Sequence, residues 1–389
     1  MMTKWDEMPR IYAKSVEKFL WHDRGWLTQR AARYTPCCPA PLNIYELHPD
    51  TWMRDEHGSP LSYHRVADEL APYVKQMGYT HVLLDSPPAA QSDGDLRDLV
   101  DILHTAGVGV IVGVDAADGE AALAARMSHA DGIWCKDSSD LLILSDRDAV
   151  AYPTNTDWTA HTLSCIECDL YDGSRRRAIL VDALRNTVPN GILAISEREV
   201  CEGARSFLGK MPGDYWQKFA GVRLFASWMM TCPGVKQCFM GTEVGQFDEW
   251  SEARPVEWFL LDYDYHAKLQ HYFAALNRLY LATPALWQSE AHILEDSADD
   301  GVLVFSRPSD KGDGDVVVIL NLTPRAMEHR AIGVPAPGAY REIFNSDASE
   351  FGGSHVVNAH KLYAEDADGT PTLSLRIPPL GVSVLLRAD

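Results

Sequence analysis

The chain has 389 residues, of which 46% are hydrophobic and 23% charged, proportions that are ordinary for a soluble globular protein. Its formal net charge of −20 argues against nucleic acid or an anionic membrane as a partner, because both would repel such an acidic surface. A neutral polysaccharide is compatible with this charge, although a requirement for solubility explains it equally well.

Targeting and redox features predict a cytoplasmic protein. No apolar run approaches the ~20 residues that span a bilayer. The first residues, MMTKWDEMPR, lack the apolar core of a signal peptide. Eight cysteines in such a chain fit reduced thiols better than a disulfide framework.

Up to about residue 290, apolar strand-like runs alternate with helical patterns, which indicates parallel βαβ units. The predicted strands are Asn43–His48, His81–Asp85, Gly109–Val114, Gly132–Lys136, Ala149–Pro153, Leu163–Glu167, Ile192–Ser196 and Lys236–Met240. Eight strands in succession predict an α/β fold, a (β/α)8 TIM barrel, in which active residues lie at the C-terminal ends of the strands. Helices are predicted at Tyr63–Gln76, Leu96–His104 and Tyr265–Leu281, the last of which is expected to close the barrel region.

Beyond about residue 290 the pattern changes to short β-rich runs separated by turn signals. The segment VLVFSRPSDKGDGDVVVILNLT, for example, reads as two strands joined by a Gly/Asp-rich turn. We therefore expect a lead-in segment at residues 1–40, the barrel at 41–290 and a C-terminal all-β sandwich at 291–389.

Cys165 and Cys168 form a CxxC pair, a spacing that occurs in zinc and redox sites. The segment LSCIEC is expected to be a strand, in which positions i and i+3 point to opposite faces. No second CxxC and no His pair at zinc-finger spacing follows it. Core packing is therefore the favoured interpretation, and we expect neither a metal nor a cofactor.

Two sequence blocks point to a known family. Leu208–Ala220 reads LGKMPGDYWQKFA and Phe239–Gln246 reads FMGTEVGQ. Both closely resemble bacterial 1,4-α-glucan (glycogen) branching enzymes, which belong to glycoside hydrolase family 13 in the α-amylase superfamily. The similarity runs collinearly from about Phe19 and includes His22–Arg54 and Glu243–Gln270. It implies an amylase-type barrel with shortened loops, a C-terminal β-sandwich, and no counterpart of the family's N-terminal carbohydrate-binding sandwich.

The catalytic positions that the resemblance implies carry the wrong residue types. Retaining glycoside chemistry needs two carboxyl groups roughly 5–5.5 Å apart, one as nucleophile and one as acid/base, and the family adds a third carboxylate. This chain has Lys136 for the nucleophile, Pro153 for the acid/base and Arg198 for the third carboxylate. An ammonium cannot form a glycosyl ester and proline has no proton to give, so we expect no catalytic residue of the family here.

Neighbouring positions of the family motifs are replaced as well. Trp134 stands where the family has the arginine that orients the nucleophile, and Glu197 stands where it has a histidine. The shortened segment Ser86–Asp95 offers no counterpart of the family's sugar-facing tyrosine. The chain therefore resembles the family in its framework but lacks the family's catalytic residues.

A rebuilt site is the alternative. Glu167, Glu197 and Glu199 are the fallback carboxylates, since all three are expected near neighbouring strand ends, where Lys136 and Arg198 could pair with them. Mixed acid/base clusters at a barrel mouth can be catalytic when neighbours shift their pKa values. The other interpretation is that these opposite charges only neutralise each other.

Three aromatic residues are candidates for a retained glucan surface, because sugar rings pack their apolar faces on aromatic rings. Trp250 and Trp258 lie in a segment similar to the family's glucan-side loop, and Tyr215 lies in the MPGDYW turn. Packing in the core or in an interface is the alternative for all three, and it is favoured for Trp216.

Three functions are compatible with these observations. The first is a non-catalytic protein that binds α-glucan (glycogen or maltooligosaccharide) or regulates a glycogen-metabolism enzyme. The second is an active branching enzyme or α-glucan-acting glycosidase with rearranged carboxylates. The third is a structural or oligomerisation partner of an active branching enzyme. The replaced catalytic positions favour the first.

Overall fold

Eight strands of the first part of the chain form one sheet that closes on itself. The structure, a computed structural model, describes residues 19–33, 40–85, 93–114, 125, 127–136, 140–144, 149–188, 190–201, 205–295, 299–309, 314–359, 361–367 and 369–388. The strands are β1 Asn43–Leu47, β2 His81–Leu84, β3 Gly109–Val114, β4 Gly132–Cys135, β5 Asp140–Leu144, β6 Ala149–Pro153, β7 Ile192–Ile195 and β8 Val235–Phe239. Their order in the sheet is β6-β5-β4-β3-β2-β1-β8-β7, and a bridge between Thr154 and Ile192 joins the two end strands. The predicted barrel is confirmed.

Strand β5 departs from the regular barrel pattern. It runs antiparallel to β4 and β6, whereas the other neighbouring pairs of this sheet are parallel. Asp140 pairs with both Cys135 and Pro153, so β5 starts at the rim where β4 and β6 end. Antiparallel neighbours need only a short turn, whereas parallel strands need a crossover of a dozen or more residues. The sequence analysis missed β5, and the expected eightfold βα repeat is corrected accordingly.

The strand predicted at Leu163–Glu167 is wrong, because these residues form the end of helix Thr156–Glu167. Asn155 begins the helix, and its side-chain oxygen accepts a hydrogen bond from Trp158 N at 3.4 Å. The buried side chains recur with a helical period, at Trp158, Thr159, Thr162, Cys165 and Ile166. An apolar run of five residues does not distinguish a strand from a helix, but the period of the longer segment does.

The helices lie outside the barrel or close its ends. They are α1 Arg24–Arg33, α2 Pro49–Trp52, α3 Tyr63–Met77, α4 Asp93–Thr105, α5 Thr156–Glu167, α6 Gly173–Arg185, α7 Glu197–Cys201, α8 Phe207–Lys210, α9 Tyr215–Thr231, α10 Asp264–Ala282 and α11 Ala285–Gln288. The three helices predicted from sequence lie within α3, α4 and α10, and those predictions are confirmed. Within the described part of the chain, none of the helices combines the length and apolar character that crossing a bilayer requires.

A buried charge network closes the N-terminal face of the barrel. Asp131, just before β4, accepts hydrogen bonds from Trp26 Nε1 and Arg30 of α1, each at 2.9 Å, from His104 Nε2 at 2.9 Å and from Val110 N at 2.6 Å. Burial opposes the charge of Asp131. The hydrogen bond from His104 and the nearby positive charges nevertheless hold the pKa of this carboxyl well below its usual range. The network fastens α1 to the barrel floor.

The C-terminal part of the chain forms a second, antiparallel sheet. Its strands are β9 His292–Ile293, β10 Val302–Arg307, β11 Val316–Asn321, β12 Met327–Gly333, β13 Gly338–Asn345, β14 Leu362–Ala367, β15 Thr370–Ile377 and β16 Gly381–Ala388, in the order β12-β15-β14-β13-β16-β11-β10-β9. Val302 and Val304 pack against β12 and β15 in the interior of the sandwich, whereas Leu303 and Phe305 join the core of the barrel. Strand β10 is therefore buried on both faces, and the predicted β-sandwich is confirmed.

Helix α9 connects the barrel with the sandwich and carries the MPGDYW block at its start. Asp214 and Gln217 form a capping box, in which Asp214 accepts from Gln217 N at 2.8 Å. Near the middle of the helix, buried Arg223 donates to Ser346 O of the sandwich at 2.9 Å.

The domain limits, 1–40 for the lead-in segment, 41–290 for the barrel and 291–389 for the sandwich, stay a prediction.

Candidate functional site at the barrel mouth

Alternation along the strands directs six polar side chains into the mouth of the barrel. Ile44, Leu83, Trp134 and Ala194 belong to the apolar cluster that fills the barrel interior. Residues two positions further along each strand point the same way. These are Glu46, Asp85, Lys136 and Ser196, and the same period places Thr154 and Gln237 inside. All of these except Gln237 border a cleft with a volume of about 530 Å³.

Lys136 is paired with an aspartate that the sequence analysis did not single out. Its Nζ lies 2.8 Å from Oδ1 of Asp85, which follows β2 and has only 7% of its side chain exposed. The position that the resemblance assigns to the nucleophile thus holds an ammonium whose charge is neutralised by a neighbouring carboxylate.

Glu197 lines the same cleft and is held by His48, which follows β1. His48 Nε2 donates to Glu197 Oε2 at 2.8 Å and lies 3.7 Å from Asp85 Oδ2. Burial opposes ionisation of Glu197, but the hydrogen bond from His48 and the positive charges of His48 and Lys136 lower the pKa of Glu197 below its ordinary value. Glu197 is therefore an ionised carboxylate near neutral pH.

The pKa of Glu46 is shifted in the opposite direction from that of Glu197, although both residues border the same cleft. It is 4% exposed and accepts hydrogen bonds from Gln237 Nε2 at 2.9 Å and from Glu197 N at 3.4 Å. Burial raises the pKa of Glu46 to about 8, because Gln237 only partly offsets the loss of water and the charges of Asp85 and Glu199 add to it. Two glutamates of one cleft thus have pKa values moved in opposite directions.

The remaining positions named from the sequence differ in their surroundings. Glu199 is buried and accepts a hydrogen bond from Ser196 N at 3.0 Å and another from Ser196 Oγ, so it caps the start of α7. Arg198 is exposed and borders the cleft. Pro153 is exposed at the end of β6 and is separated from β4 by the antiparallel β5.

Glu167 does not join the other fallback carboxylates, which corrects the expectation that all three lie near neighbouring strand ends. It is the last residue of α5, is exposed, and lines a second cleft of about 510 Å³ together with Arg205 and Lys210. Glu197 and Glu199 line the first cleft.

The aromatic candidates are engaged in packing to different degrees. Trp250 stacks on His48 with ring centroids 4.4 Å apart and donates to Thr51 Oγ1 at 3.0 Å, so it holds the histidine that contacts Glu197. Trp258 donates to Trp52 O at 2.7 Å and is partly buried. Tyr215 is 46% exposed at the start of α9. None of the three borders either of the two clefts.

Cys165 lies in the last turn of α5 and Cys168 is the residue directly after it, so the argument that a strand points them to opposite faces is wrong. Residues i and i+3 of a helix share a face. Cys165 is fully buried, and burial raises the pKa of its thiol to about 11; both cysteines are free thiols in the structure. An inert, packed thiol is what such an environment favours.

His48, Asp85 and Glu197 also form a group whose ligand atoms all lie within 4.8 Å of one another. One imidazole and two carboxylates are donors that divalent metal ions accept. The ammonium of Lys136, 2.8 Å from Asp85, already supplies a positive charge at this place and would repel a cation.

The sequence analysis did not single out Glu46, His48 or Asp85 as residues of the site. The signal was present in the alternation of polar and apolar residues: Glu46 follows Ile44 and Asp85 follows Leu83 with the period of a strand, each at its C-terminal end.

Comparison with known proteins gives a consistent result. The family described as Alpha amylase, C-terminal all-beta domain, matches residues 292–388. A 1,4-alpha-glucan branching enzyme of Desulfitobacterium hafniense is 29% identical over 504 aligned positions, which cover 95% of this chain and 79% of the relative. One from Clostridium perfringens is 28% identical, with 95% and 76% covered. The chain is thus similar over almost its whole length to 1,4-alpha-glucan branching enzymes, and its last part matches the C-terminal domain of α-amylases.

Two solved structures share the fold. An α-amylase of Geobacillus thermoleovorans, complexed with acarbose, superimposes with a TM-score of 0.61 at 13% identity, over 90% of this chain and 98% of the amylase. A pullulanase of Paenibacillus barengoltzii gives a TM-score of 0.61 at 15% identity, over 93% and 80%. The alignment with the first branching enzyme has more positions than this chain has residues, so that relative carries insertions that this chain lacks.

Proposed function

We propose that this branching-enzyme relative binds α-glucan and neither makes nor breaks glycosidic bonds. The observation that carries the proposal is the contact of 2.8 Å between Lys136 and Asp85 at the place that the resemblance assigns to the nucleophile. A covalent glycosyl intermediate needs an ionised carboxylate with a free oxygen there. An ammonium fixed by an ion pair offers neither the charge nor the nucleophile.

The acid/base position supports the same proposal. The strand next to β4 in the ring is the antiparallel β5, and Pro153 lies one strand further on and has no proton to donate. Arg198 stands at the third position. Retention of a barrel mouth with a cleft of about 530 Å³ is nevertheless typical of a protein that holds a small-molecule or sugar ligand.

Native affinity electrophoresis tests the binding half of this proposal. The protein and a non-binding reference protein are run in gels with and without glycogen. We expect glycogen to retard this protein and to leave the reference unchanged. Equal mobility in both gels, repeated with soluble amylose, would count against α-glucan binding.

A second candidate, a rebuilt enzyme, is favoured by one specific observation. Glu46 has a raised pKa and Glu197 a lowered one within the same cleft, and such a separation is typical of an acid and a nucleophile or base. In this case the protein would release reducing ends from maltooligosaccharides. Release that disappears in both Glu46→Gln and Glu197→Gln, with the melting temperature of each variant maintained, would establish the rebuilt enzyme instead of the binding protein.

A further inference from the structure

The cleft at the barrel mouth and the second cleft beside α5 are parts of one groove. The first cleft includes Trp134, and the second includes Glu167 and Arg205; both are lined by Ala160 and Leu163 of α5. Shared lining residues mean that the clefts adjoin over this helix. We call the combined depression the α5 groove, defined by Trp134, Thr156, Ala160, Leu163, Glu167 and Arg205.

Helix α5 supplies a continuous wall for this groove. Thr156, Ala160, Leu163 and Glu167 follow one another at intervals of four, three and four residues, so they lie in one stripe along the helix. The stripe rises by about 16 Å from its first residue to its last. Ala160 is exposed and small, which leaves the middle of the groove open. A length of this kind fits a linear chain better than a single sugar ring.

The inner end of the groove presents an aromatic ring beside hydrogen-bonding groups. Trp134 is partly buried, packs on the apolar barrel interior below it, and borders the cleft above. Thr154 and Ser196 add hydroxyl groups, and Glu197 adds a carboxylate, to the same cleft. A pyranose needs these two kinds of contact, a flat apolar face and several donors and acceptors around its rim.

The charges along the groove favour a neutral ligand. Asp85, Glu197 and Glu167 are acidic, whereas Lys136, Arg198 and Arg205 are basic, and the two signs are interspersed from the inner end to the outer end. Such a surface gives no net attraction for a strongly charged ligand of either sign. A polyhydroxylated chain can use both signs as hydrogen-bond partners.

We propose that the α5 groove binds a linear α-1,4-glucan chain, with one glucose unit stacked on Trp134 and the chain extending along α5 towards Glu167. The inference rests on the glucan binding that we propose above and assigns it to a place. It assigns the role of sugar-facing ring to Trp134 and no longer to Trp250, Trp258 or Tyr215.

Calorimetric titration with maltose and maltoheptaose tests the groove. In the full-length protein we expect maltoheptaose to bind at least about tenfold more tightly than maltose, because it fills the groove beyond the first unit. Trp134→Ala should weaken both sugars by about tenfold or more, since the stacking ring is removed. Ala160→Trp should weaken the binding of maltoheptaose by about tenfold and that of maltose less, because the indole blocks the groove where the two clefts meet.

Matched control variants lie on the C-terminal sandwich, outside the lining of both clefts. Tyr363→Ala removes an exposed aromatic ring of β14, and Ala326→Trp adds an indole at an exposed turn. Both should bind like the unchanged protein, and thermal melting verifies that all four variants are folded. Maltoheptaose binding that survives both Trp134→Ala and Ala160→Trp would overturn the groove and leave glucan binding intact. If the unchanged protein binds neither maltoheptaose nor glycogen, the proposed function fails together with the groove.

Discussion

The two faces of the barrel both carry buried charges, but the charges have different surroundings. At the N-terminal face, Asp131 is fully buried and each of its oxygens accepts two hydrogen bonds from the side chains and backbone around it. At the C-terminal face, Asp85 and Glu197 contact Lys136 and His48 and border an open cleft. A satisfied, water-excluded network contributes stability, whereas charges that border a cleft can change partners when a ligand arrives.

The largest expected effect is a loss of folding stability, and it distinguishes the N-terminal face from the C-terminal face. Asp131→Ala removes the carboxylate that Arg30 and His104 share and leaves the buried His104 with its contact to Asp23. We therefore expect the free energy of unfolding to fall by about 3–5 kcal/mol. Retardation by glycogen should be unchanged at temperatures at which the variant is folded. Chemical denaturation measures the loss.

Asp248→Ala is the control for this change. Asp248 and Arg254 form an ion pair in which both side chains are more than half exposed, 57% and 54%, so its removal should lower the free energy of unfolding far less than Asp131→Ala does. Equal costs for the two variants would contradict the structural role of the Asp131 network.

A second prediction concerns Glu46 and the pH dependence of stability. Its pKa of about 8 in the folded protein lies above the ordinary value of 4.5. Between these values the folded state binds more protons than the unfolded state, so this residue makes stability fall as pH rises. Glu46→Gln removes that dependence. Relative to the unchanged protein, the variant should gain about 4 kcal/mol between pH 5 and pH 9.

Denaturation series at pH 5, 7 and 9 measure this gain. Glu252→Gln, an exposed change of the same type, should run parallel to the unchanged protein at all three values. A Glu46→Gln series that is also parallel would show that Glu46 is ionised in the fold.

A smaller effect of opposite sign is expected for Glu197. Its folded pKa is depressed, so it contributes stability above its unfolded pKa that is lost as pH falls through the folded pKa. Because about a third of the side chain is exposed, 32%, the contribution is discounted to about 0.5–1 kcal/mol. Glu197→Gln should be less stable than the unchanged protein at pH 7, and the difference should shrink below pH 4. A difference that grows on acidification would refute the His48 contact.

The sequence predicts long periodic elements better than short ones. Helices α3 and α10 carry an apolar face over several turns, and the structure contains both. By contrast, LSCIE at Leu163–Glu167 and DLLIL at β5 are apolar runs of five residues. Runs of this length fit a strand or a helix equally well, and the tertiary contacts of the closed barrel decide between them.

The candidate site also has residues that the local sequence predicts and residues that only the fold brings together. Lys136, Glu197 and Arg198 were expected at the barrel mouth from their place after strands, and the structure puts them there. Their partners Asp85 and His48 come from β2 and β1, about 50 to 150 residues away in sequence, and only the closure of the ring brings them together. Pairing across a barrel is a property of topology, which no local pattern specifies.

The branching reaction itself tests the central claim most directly, namely that the ion pair of Lys136 and Asp85 has replaced the family's chemistry. Amylose is incubated with this protein or with an authentic branching enzyme, and the absorbance of the iodine complex is followed. We predict that the authentic enzyme shifts the absorbance and that this protein, at equal concentration, leaves it unchanged. A shift produced by this protein and abolished by Glu197→Gln would contradict the account.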